Sequence, residues 1–219
     1  MKYFQNISNL WGNVLTALGN TVYISLIAIV LGTILGIAMG VVLTYCKKRW
    51  QWLFRIYVDI MRGLPVLVTI FVVYYFVNAV LKMFFGFQMQ QNTAGAVALT
   101  MFSAAQMTEL TRGALQAIPK GQIEAGQAIG LSGTVIKIEI ELPIMMKKVL
   151  PSMGNYLISL FKDTSIASAI TVGELTYISK VLTTQTFRVF EVWLTTGILY
   201  VAACYLIAFI LRRVEKLFL

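Results

Sequence analysis

Five long apolar segments constrain this 219-residue chain more than any other feature of its sequence. A helix needs about 20 mostly apolar residues to cross the hydrocarbon core of a bilayer. These segments are continuous rather than alternating and too long for barrel strands, so they predict an all-α polytopic membrane protein with five transmembrane helices. The predicted spans are Thr21–Tyr45, Val66–Leu81 with a helical lead-in from Leu53, Ala94–Leu115, Ser152–Val172 and Val192–Leu211.

Composition supports a membrane protein and excludes several kinds of functional site. Only 12% of the residues are charged, about half of the 25% typical of a soluble domain. The chain has no His, which excludes His-based catalysis and His metal ligation. Lys and Arg outnumber Asp and Glu by 18 to 9, but these charges lie between apolar runs, so no nucleic-acid partner is predicted. Cys46 and Cys204 lie beside or inside apolar runs, which favours buried thiols over a disulfide or a metal pair.

The basic residues predict the orientation. Short loops rich in Lys and Arg face the cytoplasm. Twelve basic residues follow the first, third and fifth predicted spans, whereas four lie on the opposite side. The N-terminus is therefore predicted outside and the C-terminus in the cytoplasm. An odd number of spans agrees with ends on opposite sides of the membrane.

Residues 118–143, called the 118–143 loop below, form the most informative cytoplasmic segment. Pro119 suits the first position of a helix, and Gly130 suits its C-terminal cap. Ser132 can cap a second short helix over Thr134–Ile140, which Pro143 is expected to end. Small residues on the first helix are predicted to let another body approach closely; they are Ala125, Gly126 and Ala128.

The same loop resembles the EAA motif of ABC importer permeases, in which E-A-A is followed at fixed spacing by G, I and L-P. The matching residues are Glu124, Ala125, Gly126, Gly130, Ile140, Leu142 and Pro143. Gly126 departs from the motif, since the family usually has a second Ala there. The resemblance implies that Glu124, Ala125, Gly126, Gly130, Leu142 and Pro143 couple this chain to an ATPase. An ordinary amphipathic connector between spans is the alternative.

Further matches extend the resemblance over most of the chain, towards the polar amino-acid group of type I importer permeases. They are Gly19–Asn20–Thr21, Arg62–Gly63–Leu64–Pro65, Thr111–Arg112–Gly113–Ala114, Lys120–Gly121–Gln122, Lys162–Asp163–Thr164–Ser165 and residues 211–215. This group implies the MetI-like permease fold in a single transmembrane domain over residues 1–219, with a permease core at 14–215. It also implies a bacterial inner-membrane location and a polar amino acid as substrate.

The resemblance implies several partners. They are a second permease chain, identical or related, two ABC ATPase subunits, an extracytoplasmic amino-acid-binding protein and membrane lipid. No G-x-x-x-x-G-K-[ST] sequence occurs in the chain, so ATP and Mg are expected on the separate ATPase. No catalytic residue, cofactor or metal is predicted on this chain, which is not expected to be an enzyme.

Charged residues within predicted spans are candidates for contact with substrate. Lys162 could hold an α-carboxylate, and Asp163 or Glu109 could hold an ammonium or a polar side chain. For Glu109 an ion pair with Arg112 is an equal alternative. For Lys162 and Asp163 the alternative is a structural ion-pair network between helices.

The second span is interrupted at Gly63, Leu64 and Pro65. Broken helices in transporters expose backbone groups to a cavity, so Arg62 and these three residues are predicted to shape the translocation pathway. A packing kink, with Arg62 paired to Asp59, is the alternative. Two other functions are alternatives: an ion-coupled secondary transporter and a non-transport membrane scaffold. The absence of a visible internal repeat disfavours the secondary transporter.

Overall fold

The computed structural model describes the backbone of residues 2–218 and the side chains of residues 12–49, 51–213 and 215–216. Residues 1 and 219, the ends of the predicted domain, lie outside this description. The described chain contains helices and no strand, which confirms the all-α prediction. The helices are α1 (Lys2–Tyr45), α2 (Lys48–Gly63), α3 (Val66–Phe85), α4 (Gln91–Gln116), α5 (Lys120–Ala128), α6 (Leu142–Asp163), α7 (Leu175–Thr186) and α8 (Val189–Phe218).

In the part of the chain that the structure describes, three helical segments are long and apolar enough to cross a membrane, and they match the first, second and fifth predicted spans. These segments are Gly12–Tyr45, Val66–Phe85 and Val189–Arg213. The helices α4 and α6 contain 26 and 22 residues, or about 39 and 33 Å at 1.5 Å per residue. Both are long enough to cross a core of about 30 Å, and the total of five spans remains a prediction.

Close packing of α1 on α4 forms the centre of the bundle. Three glycines at four-residue spacing, Gly32, Gly36 and Gly40, place the backbone of α1 directly against α4. A Cβ atom on Gly40 would lie 2.6 Å from the Cβ of Thr111 and 2.8 Å from the carbonyl oxygen of Thr108. Such stripes of small residues allow membrane helices to approach closely. The described α1 therefore uses these three glycines for helix packing.

Two predicted span boundaries are wrong. The first candidate span begins at Gly12 rather than at Thr21, within a helix that begins at Lys2. The fourth span was predicted over Ser152–Val172, but α6 ends at Asp163 and a 3₁₀ segment follows over Thr164–Ile170. At the first span polar residues continue the helix before the apolar run, whereas at the fourth span the apolar run continues beyond the end of α6, and hydropathy alone detects neither.

Pro143 does not end a helix, contrary to the prediction. The chain passes from a short helical turn, Gly133–Val135, through a π-helical segment, Ile136–Glu141, directly into α6. Pro143 occupies the first turn of α6. The wider π-helical turn before it changes the backbone hydrogen-bond pattern, so the missing N–H of Pro143 breaks no regular α-helical bond.

The break between α2 and α3 lies where it was predicted. Leu64 and Pro65 are extended, with ψ angles of 139° and 144°. A proline disfavours the helical region for the residue before it, which explains the extended Leu64. Gly63 is still helical, and no atom lies within 4 Å of its Cβ position. The break in the helix therefore depends on Leu64 and Pro65 rather than on Gly63.

The two cysteines are free, as predicted, but they are not both buried. Cys204 is half-buried, whereas Cys46 is exposed. Helix α1 ends at Tyr45, which leaves Cys46 in the connection to α2 and outside the packed bundle.

Candidate functional site

The 118–143 loop contains two helical segments joined by a tight turn at Gly130. Gly130 has a φ of +81°, and the N–H of Leu131 donates to the carbonyl of Gly126 at 3.1 Å. This is the bond that closes a helix at a left-handed residue. The Ser132 hydroxyl accepts from the N–H of Val135 at 3.4 Å. Both predicted caps are confirmed, and Pro119 is the residue that precedes α5 rather than its first residue.

Gly126 faces its own chain, so the prediction that it lets another body approach is wrong. A Cβ atom there would lie 2.8 Å from Cδ1 of Ile140 and 3.2 Å from Cγ1 of Ile136. The small residue allows α5 to pack on the π-helical segment. Glu124 and Ala125 are exposed on the other side of α5.

Ile129 was missed by the sequence analysis. Its side chain is 77% exposed at the end of α5, next to Gly130. A large apolar residue just before a capping glycine is the sequence signal for this exposed side chain. Burial of such a side chain by a partner contributes about 1.5–3 kcal/mol.

An apolar cluster joins the base of the 118–143 loop to the bundle. Leu142 packs beside Leu115, Met145 and Val149, and Pro143 is exposed. Predicted coupling residues therefore divide into an exposed group around Glu124 and a group at the base, where Leu142 contacts the interior. Motion of the exposed helix would reach α4 and α6 through this base.

A second set of contacts connects the 118–143 loop to α1. Tyr45, the last residue of α1, donates its hydroxyl proton to the Glu141 carboxylate, which is only 8% exposed. The Lys137 ammonium lies 4.5 Å from the centre of the Tyr45 ring, within the range of a cation–π contact. These partners are 96 positions apart in sequence, and no local pattern indicates the pair.

Stability should depend on pH through Glu141. Burial raises the pKa of the Glu141 carboxyl, because removal from water disfavours the charged form. The folded protein then binds a proton more tightly than the unfolded chain does, so this contribution is present below the ordinary carboxyl pKa and is lost as pH rises through the raised value. We expect a Glu141→Gln variant to show a flatter dependence of melting temperature on pH, starting from about pH 4.3 and continuing upward.

The control for that measurement is Glu139→Gln, which changes an exposed carboxyl of the same segment. Thermal melts of the purified protein across the mildly acidic range provide the comparison. Equal pH profiles for the wild type and the Glu141→Gln variant would show that this carboxyl does not contribute.

Glu109 joins two helices at the predicted pathway. It accepts two hydrogen bonds from Arg112, one of them from Nε at 2.9 Å. Arg62, the last charged residue before the helix break, places Nη1 3.9 Å from the Glu109 carboxylate. The predicted Glu109–Arg112 pair is present. Among the described side chains Arg62 forms its ion pair with Glu109 rather than with Asp59.

Lys162 and Asp163 are the last two residues of α6. Lys162 is exposed and lines a groove with Tyr200 and Cys204 of α8, whereas Asp163 is half-buried. Neither forms an ion pair within 4 Å among the described side chains, so the alternative of a structural ion-pair network is not observed in this part of the chain.

The candidate charges form two groups. Leu115 packs with Met145, and Leu99 packs in the cluster that contains Leu160, so α4 and α6 run antiparallel. Glu109 lies towards the C-terminal end of α4, and Lys162 lies at the C-terminal end of α6. The structure therefore places Arg62 with Glu109, and places Lys162 and Asp163 towards the opposite end of the bundle.

Glu174 is a further buried carboxyl that the sequence analysis did not identify. It is fully buried and accepts from the N–H groups of Thr176 and Tyr177 at 2.8 and 2.6 Å, and from the Tyr200 hydroxyl at 2.9 Å. Thr21 accepts from the N–H of Leu175 at 3.0 Å. These bonds fix the start of α7 to α1 and α8. An acidic residue directly before a helix is the available sequence signal.

Residues 32–218 match the family described as the inner membrane component of binding-protein-dependent transport systems. The chain belongs to this family. The permease is 31% identical over 196 residues to the glutamine transport system permease protein GlnP of Escherichia coli, covering 90% of this chain and 88% of that protein. It is 34% identical over 182 residues to the probable glutamine ABC transporter permease protein GlnM of Bacillus subtilis, covering 83% and 82%.

Solved structures confirm the fold of the permease. A crystal structure of an amino acid ABC transporter with histidines aligns with a TM-score of 0.85 at 25% identity, covering 97% of each chain. The inward-facing MetNI methionine ABC transporter aligns with a TM-score of 0.77 at 21% identity, covering 94% of this chain and 96% of that chain. The expected MetI-like permease fold is therefore confirmed.

Proposed function

We propose that this permease is the membrane-spanning subunit of an ATP-driven importer for polar amino acids. Two such chains, identical or related, would complete one pathway, and two ABC ATPase subunits would bind the 118–143 loops. ATP and Mg would be held by those ATPases. An extracytoplasmic binding protein would deliver the amino acid, with the permease N-terminus outside and its C-terminus in the cytoplasm.

The observation that carries this proposal is the construction of the 118–143 loop. Its outer helix ends in an exposed Ile129, and its inner side packs through Gly126 on the π-helical segment that continues into α6. A partner that moved α5 would therefore move α6. The Tyr45–Glu141 hydrogen bond and the apolar packing around Leu142 would transmit the same motion to α1 and α4.

The amino-acid substrate is supported by the relatives and by the charges of the permease. The relatives named above include glutamine permeases, and the arginine ABC transporter permease protein ArtQ of Escherichia coli is 29% identical over 222 residues. We infer that Lys162 contacts the substrate carboxylate and that Asp163 contacts its ammonium. Glu109 with Arg62, Gly63, Leu64 and Pro65 would form the wall of the pathway at the helix break.

The test is ATP hydrolysis by the complex reconstituted with its ATPase and its binding protein, measured against a panel of amino acids. The proposal expects stimulation by one or a few polar amino acids together with the loaded binding protein. Uptake driven by an ion gradient without nucleotide would overturn it and would favour a secondary transporter.

A Lys162→Ala variant should lower amino-acid uptake about tenfold, because a hydrogen bond to a charged group contributes about 1.5–3 kcal/mol. Lys162→Arg keeps the charge and is the matched control. Assembly, measured as ATPase subunits retained per permease, should not change. Equal uptake by Lys162→Ala and the wild type over a range of substrate concentrations would exclude substrate contact at this residue.

A further inference from the structure

An apolar groove lies on the outside of the bundle, between α1, α2 and α4. Its volume is about 360 Å³, and its walls include Leu35 and Met39 of α1, Leu53 and Phe54 of α2, and Met101 of α4. Leu35 and Leu53 are 49% and 58% exposed, so the groove opens to the surroundings of the bundle. Because Leu35 and Met39 lie within the candidate membrane span Gly12–Tyr45, these surroundings are the bilayer.

The groove faces away from the proposed translocation pathway. Tyr57 of α2 lines the groove, and Arg62 follows five residues later, about 140° around the helix. Ala104 of α4 also lines the groove, and Glu109 follows it at the same separation. No residue that lines the groove in the described part of the chain belongs to α6, which carries Lys162. A ligand in this groove would therefore not compete with the substrate proposed at Lys162.

Basic residues border the groove at the turn between α1 and α2. Three consecutive ones are exposed there: Lys47, Lys48 and Arg49. The first acidic residue of the whole chain is Asp59, and Glu141, which reaches the end of α1, is buried against Tyr45. Arg49 precedes Leu53 by four residues and so lies on the same side of α2. The turn therefore presents positive charge next to the apolar groove.

Hydrogen bonds hold the turn and the groove in place. The side-chain amide of Gln51 donates to the carbonyl of Cys46 at 2.7 Å, which closes the start of α2 onto the end of α1. The Tyr57 hydroxyl donates to the carbonyl of Met101 at 2.6 Å, which fixes α2 to α4. A ligand would thus meet a surface that is already formed, which lowers the cost of ordering it.

The dimensions agree with one leaflet of a bilayer. Trp52, which is 66% exposed, follows the basic turn on α2, and Trp side chains are enriched at the level of the headgroups. Leu35 and Tyr45 are separated by about 15 Å along α1, or about half of the hydrocarbon core. When the turn lies at the membrane surface, the groove therefore lies beside the acyl chains of the same leaflet.

We propose that this surface binds an anionic phospholipid, phosphatidylglycerol, from the leaflet that borders the turn between α1 and α2. Lys48 and Arg49 would donate hydrogen bonds to the phosphate, and one acyl chain would lie against Leu35, Met39 and Leu53. A second permease chain is disfavoured as the occupant, because it would bring the same basic turn and the same excess of 18 Lys and Arg over 9 Asp and Glu.

The experiment uses the assembled transporter, purified in detergent and mixed with phosphatidylglycerol, phosphatidylcholine or phosphatidylethanolamine of matched chains. Native mass spectrometry measures the lipid retained, and thermal melts confirm that each variant is folded. The wild type should retain phosphatidylglycerol in preference to the two zwitterionic lipids. Lys48→Gln and Arg49→Gln should each lower this retention about fivefold, and about 25-fold together, because each removes a charge that attracts the anionic headgroup.

Matched controls test the charge and the groove separately. Arg213→Gln removes an equal charge from the exposed end of α8 and should bind like the wild type. Leu35→Trp should weaken retention by filling the groove while it keeps the basic turn. Leu26→Trp adds the same bulk at a residue that is 53% exposed and lies about 180° away around α1, so it should bind like the wild type.

Three results would overturn the proposal. Equal retention of the three lipids, or equal retention by all variants, would show non-specific lipid around the bundle. Loss of the second permease chain in Leu35→Trp alone would show that the groove is a subunit interface. Displacement of the lipid by millimolar glutamine would identify an amino-acid site. Lys162→Ala should retain phosphatidylglycerol like the wild type whatever its uptake, so the lipid site and the proposed substrate contact are tested independently.

Discussion

An Ile129→Glu variant should abolish ATP-driven uptake while the permease still reaches the membrane. Ile129 is 77% exposed at the end of α5, and a partner that binds there would have to bury a carboxylate in place of an apolar side chain. Losing the burial energy alone corresponds to about 1.5–3 kcal/mol, or a loss of affinity of at least about tenfold. Co-purification of the ATPase with the tagged permease measures the effect directly.

Three further variants control for the turn and for the side chain. Ile129→Met keeps an apolar group and should retain uptake. Gly130→Val should fail like Ile129→Glu, because the φ of +81° costs a residue with a side chain about 1–2 kcal/mol, whereas Gly130→Asn should be tolerated better. Wild-type uptake by Ile129→Glu, with the ATPase still bound, would remove α5 from the docking surface.

A Glu109→Gln variant should lower both the thermal stability and the uptake of the permease. Glu109 accepts two bonds from Arg112 and lies 3.9 Å from Arg62. Its loss leaves two cations facing each other near the helix break. The lost contact with Arg112 should account for most of the decrease in stability, because hydrogen bonds to a charged group contribute about 1.5–3 kcal/mol. Thermal melts and transport assays on the same preparation separate the two effects.

A double-mutant cycle with Arg62→Gln measures the contact between α2 and α4. The Arg62 side chain is 42% exposed, so we expect a coupling of less than about 1 kcal/mol. Arg62→Gln alone should therefore change stability less than Glu109→Gln. If the two single variants were equally destabilising, the Arg62–Glu109 contact would be the main one, contrary to this account.

Local features of the sequence predicted local features of the structure. Gly130 and Ser132 cap the two parts of the 118–143 loop because each cap depends on a residue and its near neighbours. Leu64 and Pro65 break the second span for the same reason. The Glu109–Arg112 pair follows from three-residue spacing on a helix.

Contacts between distant segments could not be predicted in this way. Tyr45 reaches Glu141 across 96 positions, and Thr21 reaches Leu175 across 154, so both depend on how the bundle packs. The orientation of Gly126 towards Ile140 could not be predicted either, because a small residue is equally compatible with a contact inside the chain and with a contact to a partner. The fourth span was predicted too far along the chain because polar residues and prolines precede its apolar run, whereas α6 is helical through them from Leu142.

The central claim is that an ATPase binds the 118–143 loop on the cytoplasmic side, and disulfide cross-linking can test it. The background variant would carry Ser in place of Cys46 and Cys204, and a single cysteine would then replace Ile129. Cysteines placed along the facing surface of the ATPase complete the pairs in the assembled transporter. We predict a cross-link at Ile129 whose yield changes when ATP is added, and no labelling of this cysteine by an impermeant thiol reagent applied from outside intact cells. Labelling from outside, with no cross-link to any ATPase position, would contradict the account.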